Sequence, residues 1–205
     1  MAITVYGDSI SGNCWKVTTI LRLTGRDFTW VETDVRVAAT RTPAFLAMNP
    51  NGKVPVAVLD DGQVITESNA IMLHFAERTN WLAPPGLART RVMEWLFFEQ
   101  YSHEPAIAVA RFIITYLRRG AEEAARLQQC RGRGEAALSV MEHRLASHPF
   151  LTDAGPTVAD IALVAYTQAA DEGGFDLARW PGVEAWVSRM LALPGITPLP
   201  RPEAI

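Results

Sequence analysis

Asp61-Gly62 stands between two runs rich in β-branched residues, Val54-Pro55-Val56-Ala57-Val58 and Gln63-Val64-Ile65-Thr66. No other feature so narrows what this chain can fold into. Asp-Gly tolerates the positive φ angles of a tight turn, so the two runs are predicted to pair antiparallel through a two-residue hairpin loop. Asn49-Pro50-Asn51-Gly52 breaks the chain just before the first run. After the second, Glu67-Ser68 opens Asn69-Ala70-Ile71-Met72-Leu73-His74-Phe75-Ala76, whose apolar positions recur at helical spacing. Ser68 falls where a helix N-cap belongs, beside free backbone N–H groups and the positive end of the dipole. Such a terminus suits a carboxylate, and Glu67 beside it suits an ammonium; together these are the two ends of an α-amino acid. The dipeptide reads equally well as a plain capped helix with a solvated Glu. Pro55 cannot donate to a ladder, which implies an edge or a bend. A cis bond there would turn the Val54 backbone outward to pair with an extended ligand. Only about one X–Pro bond in twenty is cis, so from these residues an ordinary trans proline is the default.

The N-terminal stretch supplies the rest of an α/β unit. Ile3-Thr4-Val5-Tyr6 reads as a short strand, and Asp8-Ser9-Ile10-Ser11-Gly12-Asn13 as a loop of turn residues. From Cys14 the pattern is helical, with Val17, Ile20, Leu21 and Thr24 on one face and Gly25 as the C-terminal stop. Phe28-Thr29-Trp30-Val31-Glu32 follows as a second extended run, at the right length for a parallel crossover. With the hairpin and the helix after it, the order is βαβ–ββα.

Beyond Asn80-Trp81-Leu82-Ala83-Pro84-Pro85-Gly86, a stretch that stops a helix and makes a semi-rigid linker, nearly everything is helical. Val92, Trp95, Leu96 and Glu99 begin a long helix; Ile107, Val109, Phe112, Ile113 and Tyr116 carry the period on after Pro105. Arg118 to Arg133 reads as a solvated helix with a break. It is no nucleic-acid segment, because Glu122, Glu123 and Glu135 cancel its charge locally. Ala136 to Leu145 reads as a separate helix. Thr157-Val158-Ala159-Asp160 precedes the apolar run Ile161-Ala162-Leu163-Val164-Ala165-Tyr166, so Thr157 caps a helix and Asp160 reaches back as in a capping box. That carboxylate is structural, not catalytic.

Four segments in order, Ser11-Gly12-Asn13-Cys14-Trp15-Lys16-Val17, Asn49-Pro50-Asn51-Gly52-Lys53-Val54-Pro55, Glu67-Ser68 and Thr157-Val158-Ala159-Asp160, make the chain resemble the glutathione S-transferases. The similarity is greatest to bacterial enzymes and to the serine-using phi, theta and zeta classes. It implies a thioredoxin-like α/β domain at 1–80, a linker at 81–87 and an all-α helical-bundle domain at 88–205. It also implies a cis bond before Pro55, reversing the default above, and puts Ser11 at the catalytic position with Asn13 accessory. Glutathione would bind with its γ-glutamyl head at Glu67 and Ser68, its cysteinyl backbone at Val54 beside Pro55, and its glycyl carboxylate at Lys53.

The expected chemistry is activation of the glutathione thiol as the thiolate nucleophile, from a free-thiol pKa of roughly 8.5. A shift of about two units requires roughly 2.7 kcal/mol of preferential thiolate stabilisation. One hydroxyl donating to a charged partner contributes about 1.5–3 kcal/mol, and a helix N-terminus about 0.3–1. Ser11 is therefore expected to donate a hydrogen bond and form no covalent bond. Ser9, two residues upstream, is an alternative donor. Cys14 at the helix start is a redox candidate, set against its reading as a small packed hydrophobe. The electrophile is expected against the helical half, near Tyr101, His103, Arg111, Phe112 and Tyr116. Alternatives are a glutathione-dependent disulfide or peroxide reductase and a non-catalytic glutathione-binding stress protein.

Composition restricts partners. A net charge of −3 over 205 residues favours neither nucleic acid nor an anionic membrane. No run of 18 apolar residues occurs and no basic-then-apolar leader is read, which predicts a cytoplasmic protein. Cys14 and Cys130 are far apart and the four histidines lack ligand spacing, so no metal is expected. A homodimer is expected through a face that includes the Glu67 helix, with Met72 and Phe75 as its apolar residues.

Overall fold

The computed structural model of the protein describes residues 3–202. Strand β1 (Ile3–Gly7) leads through a loop into helix α1 (Gly12–Leu23), and β2 (Phe28–Glu32) returns beside β1 in parallel. Helix α2 (Pro43–Met48) precedes β3 (Val56–Val58) and β4 (Val64–Thr66), and α3 (Ser68–Ala76) closes the unit. The sheet order is β2-β1-β3-β4, with β3 antiparallel to both neighbours. The βαβ–ββα expectation is met; α2 was not foreseen, because six residues interrupted by no cap signal beyond Thr42 and Pro43 carry little period.

The hairpin differs from its expected form. Gly62 N–H donates to Leu59 O at 2.9 Å and Leu59 N–H to Gln63 O at 2.8 Å, leaving Asp60-Asp61-Gly62 as a three-residue loop. Gly62 lies at φ 82°, the left-handed position that such a loop gives to glycine.

The second half is helical: α4 (Leu87–Phe98), α5 (Glu104–Arg111), α6 (Ala124–Leu145), α7 (Val158–Thr167) and α8 (Pro181–Leu191). Helices α4 and α5 form one continuous rod through a π-type stretch at Glu99–His103, and a second such stretch, Phe112–Leu117, extends it. Pro105 has no N–H to give the carbonyl four residues back, that of Tyr101. Arg133 Nη2 donates to that carbonyl instead, at 3.1 Å, so the rod widens without breaking. The expected break in the next segment lies at 118–123, with Arg118 left-handed at φ 54°, but the separate helix expected from Ala136 is not found: α6 runs unbroken from Ala124 through Gly132 and Gly134. A side chain at Gly134 would collide with the Phe175 ring.

The core is centred on α7, every residue of which is buried, and α1 packs against both α3 and α7. The segment 77–86 is tied to that core: Trp81 O accepts from Val158 N–H at 2.8 Å, and Leu82 and Ala83 are buried. Met72 and Phe75 are 0% and 2% exposed inside the protomer, which corrects their assignment to a dimer face. Among the described residues no helix is long and apolar enough to cross a membrane.

Asp160 does more than cap. Its Oδ2 accepts from Thr157 N–H at 2.9 Å and from the Thr157 hydroxyl at 3.2 Å. Its Oδ1 accepts from Leu151 N–H and from Trp186 Nε1–H, each at 3.0 Å. Burial raises its pKa, and these donors oppose the rise. Asp160→Ala strands several buried N–H groups, a loss of about 3–5 kcal/mol at about 1–3 kcal/mol for each group. The melting temperature should fall by about 6–20 °C in a calorimetric scan; a fall of less than about 2 °C would contradict this role.

Candidate functional site

A cavity of about 790 Å³ lies between the α/β half and the rod of α4 and α5. That volume is within the range of about 300–1,000 Å³ usual for small-molecule sites. One wall holds Ser11, Asn13, Lys53, Val54, Pro55, Glu67 and Ser68; the other holds Arg111, Phe112 and Tyr116.

Ser11 is the N-cap of α1, at φ −79° and ψ 124°, and its Oγ accepts from Cys14 N–H at 3.4 Å. Its proton is left for another partner. Ser9 is exposed, ties its N–H to Glu32 Oε1 at 3.0 Å and does not line the cavity. Geometry therefore separates the two serines where loop length could not. Cys14 is fully buried, with its sulfur accepting from Asp8 N–H at 3.4 Å, and burial pushes its thiol up to about 12. It is a packed hydrophobe, inaccessible to a disulfide partner.

Asn13 joins three elements. Its Nδ2 donates to Glu104 Oε1 at 3.3 Å, its Oδ1 accepts from the Ser68 hydroxyl at 3.2 Å, and its N–H donates to the Tyr166 phenol oxygen at 3.2 Å. The Ser68 hydroxyl is thus spent on Asn13, and α3 has no side-chain cap. Glu67 takes the N-cap position and Ser68 is the first helical residue, one position off the expectation. Glu67 lies at φ 66°, a conformation that costs a non-glycine residue about 1–3 kcal/mol, and its carboxylate is exposed at the cavity.

The Val54–Pro55 bond is cis. Around it Asn49 is buried and organises the turn: its Nδ2 donates to Lys53 O at 2.8 Å, its Oδ1 accepts from Asn51 N–H at 3.1 Å, and its carbonyl accepts from Gly52 N–H at 2.9 Å. Gly52, at φ 62°, lies so close to the Arg41 guanidinium that a side chain there would displace it. Lys53 is exposed and Arg41 joins it in lining the cavity, so one rim carries two cations.

The far wall contains fewer of the expected residues. Phe112 and Tyr116 stack at 5.1 Å between centroids, with Phe112 40% exposed. Burial, and next the Asp8 carboxylate, raise the Tyr116 pKa. Arg111 lies behind them, 1% exposed: its Nε donates to Glu172 Oε2 and its Nη1 to Ile10 O, both at 2.8 Å. It braces the loop before Ser11. Tyr101 and His103 do not reach the cavity. Tyr101 is 81% exposed on the opposite face of the rod. His103 is buried against Thr167, and burial lowers its pKa to about 3. The helical period alone does not show which side of the rod turns inward, and the π-type stretch at Glu99–His103 shifts that side.

Glu104, Gln100, Arg41 and Tyr166 line the cavity without having been singled out. Burial raises the Glu104 pKa. Tyr166 closed an apolar run and so passed for core; only its neighbourhood in three dimensions distinguishes it. Among the described residues, no group of three or more His, Cys, Asp or Glu is arranged to hold a metal ion.

Comparison with known proteins accords with this geometry. Residues 10–78 match the glutathione S-transferase N-terminal domain, and residues 98–194 the glutathione S-transferase C-terminal domain. The chain is 30% identical to glutathione S-transferase 3 of Zea mays, over 97% of this chain and 96% of that one. It is 27% identical to the disulfide-bond oxidoreductase YfcG of Escherichia coli K12, over 89% and 87% of the two chains. A crystal structure of a glutathione S-transferase from Xanthobacter autotrophicus Py2 superposes with a TM-score of 0.94 at 62% identity, covering 97% of each chain. On the two matched domains and these full-length similarities, the chain belongs to the glutathione S-transferase family of enzymes.

Proposed function

We propose that this protein binds glutathione in the cavity, activates its thiol and transfers it to a small hydrophobic electrophile. The observation that carries the reading is the convergence of complementary groups on one cavity: a carboxylate beside a helix start, a hydroxyl with a free proton, two cations at one rim and an aromatic pair opposite. Glu67 takes the γ-glutamyl ammonium and the first N–H groups of α3 its carboxylate. Val54 beside cis Pro55 pairs with the cysteinyl backbone, and Lys53 with Arg41 takes the glycyl carboxylate. Ser11 then donates to the sulfur. With about 1.5–3 kcal/mol from that bond and about 0.3–1 from the α1 dipole, a drop of about two units is within reach without a general base. Asn13 holds the Ser68 hydroxyl and Glu104, keeping the head-binding helix and the rod in register. Phe112 and Tyr116 supply an apolar surface for the electrophile.

A second reading is favoured by the similarity to YfcG: the same thiolate attacks a disulfide, with bound glutathione supplying the electrons because Cys14 is buried. Conjugation of chlorodinitrobenzene and reduction of hydroxyethyl disulfide, measured side by side, separate the two. The reading extends to a cytoplasmic homodimer. Phe97 and Tyr101, 67% and 81% exposed on the rod, are apolar side chains available to an interface.

Ser11→Ala should raise the pKa of the bound thiol by about one to two units while glutathione affinity stays within a few-fold. An unchanged pH–rate profile and turnover would remove Ser11 from the mechanism. Glu67→Gln should weaken glutathione about tenfold to a hundredfold in calorimetric titration, and should leave glutathione lacking its α-amino group unaffected. Equal losses for both ligands mean that Glu67 shapes the site and does not read the amine. Sedimentation at micromolar concentration should give a dimer, and a monomer overturns that part.

A further inference from the structure

Arg111 grips the loop before Ser11 by one bond, Nη1–H to Ile10 O at 2.8 Å. The Ile10–Ser11 peptide is trans, so its carbonyl oxygen and its N–H point from opposite edges of one plane. Arg111 holds the first edge. Asp8 O holds the second, accepting from Ser11 N–H at 3.0 Å. Two grips on a planar unit fix its orientation. Cys14 N–H then holds the Ser11 oxygen, so the direction in which the hydroxyl proton points follows from that plane. Asp8 belongs to the loop itself, whereas Arg111 brings its grip from the helical half.

A long arginine side chain loses much rotamer freedom when it is held in one place. What holds this one is Glu172, in the short 3-10 turn Ala170–Gly173. Glu172 Oε2 accepts from Arg111 Nε–H at 2.8 Å, with the two side chains 10% and 1% exposed. The third guanidinium nitrogen, Nη2, is buried with no partner. The bonds to Glu172 and Ile10 are therefore the only hydrogen bonds that set the plane of the group. Gly173 permits the close approach, because a Cβ there would come within 3.3 Å of Arg111 N and of the Phe175 ring. Glu172 is flanked in turn by Arg201, whose Nε lies 3.6 Å from Oε1 and which Asp171 Oδ2 anchors at 2.6 Å. We propose that Glu172 is a positioning residue for Ser11. It aims Arg111 Nη1 at Ile10 O, and through that carbonyl it sets the peptide plane from which the Ser11 hydroxyl points at the glutathione sulfur. This role rests on Ser11 activating glutathione, as proposed above. Glu172 does not line the cavity, so its effect on the thiol passes through the geometry of the loop.

Two substitutions separate position from charge. Glu172→Asp keeps the charge and draws the carboxylate back by one methylene, whereas Glu172→Gln keeps an acceptor at the same reach and removes the charge. With Glu172→Asp the pKa of bound glutathione, read from the ultraviolet absorbance of its thiolate, should rise by about half a unit. Turnover of chlorodinitrobenzene at neutral pH should fall about two- to fivefold, with the KM for glutathione within about twofold. Glu172→Gln should stay closer to the parent protein in both readouts. The opposite order overturns the role: a lower thiol pKa in Glu172→Gln with none of these effects in Glu172→Asp. A lost carboxylate favours the thiolate by charge alone, so that pattern means charge and not position. In a Ser11→Ala background Glu172→Asp should raise the thiol pKa no further, and an undiminished rise there also overturns the role, because the effect would bypass Ser11. If Ser11→Ala moves the thiol pKa and Glu172→Asp does not, the proposed function stands and Glu172 only packs its turn; if neither moves it, both fall. Should Glu172→Asp fail to fold, Arg111→Lys keeps the charge but cannot span Glu172 and Ile10 at once. It should then raise the thiol pKa by a similar amount, and no rise overturns the role.

Discussion

Lys16 and Glu99 form an ion pair at 2.6 Å with neither side chain exposed, and the arrangement around the cavity depends on it. Lys16 belongs to α1, Glu99 to the rod of α4 and α5, and Asn69, which donates to Glu99 Oε2 at 2.9 Å, to α3. Three elements that each contribute to the cavity thus share one buried polar cluster. Burying two charges costs several kcal/mol per ion before attraction offsets it, so the pair is poor evidence for stability. It is strong evidence for register, because any sliding of α1 against the rod leaves an unpaired charge in the core. The nearby charge of Lys16 also helps keep His103 neutral.

Around that cluster the polar side chains of the site are held by neighbours and not left to solvent. Arg111 braces Ile10, Asn49 braces Lys53, Asn13 braces Ser68, and Cys14 N–H fixes the Ser11 oxygen. Each brace removes rotamer freedom before a ligand arrives, which lowers the entropy cost of binding. The Lys53 ammonium and Glu67 are exceptions, both exposed, and Glu67 the more telling one. Its carboxylate is exposed and its backbone at φ 66° is strained, and strained backbone of this kind concentrates at ligand clamps.

Much of this was legible in the chain. Periods of two and of 3.6 residues, the crossover length and the Asp61-Gly62 turn implied βαβ–ββα followed by helices, and the structure has that order. Ser11, Lys53, Val54, Pro55, Glu67 and Ser68 do line one cavity. The misses have physical causes. Met72 and Phe75 were expected on a dimer face, but α3 packs both into the core of its own protomer. Gly132 and Gly134 weakened the case for a continuous α6, yet Gly134 is there to admit the ring of Phe175.

By itself, then, the sequence determined most of the strands and helices, because those are written in local spacing, and through the resemblance of four of its segments to glutathione S-transferases it named the residues that build the α/β wall of the cavity. Tertiary structure alone decided which of two serines faces inward, that Cys14 is inaccessible, that Tyr101 and His103 turn away, and that the Tyr166 phenol reaches the Asn13 N–H at the start of α1. The reason is that solvent access, pKa and hydrogen-bond partnership are properties of neighbours in space. A residue such as Tyr166, apolar in its periodicity and polar only at its tip, declares its role only when the helix that carries it is packed against its partner.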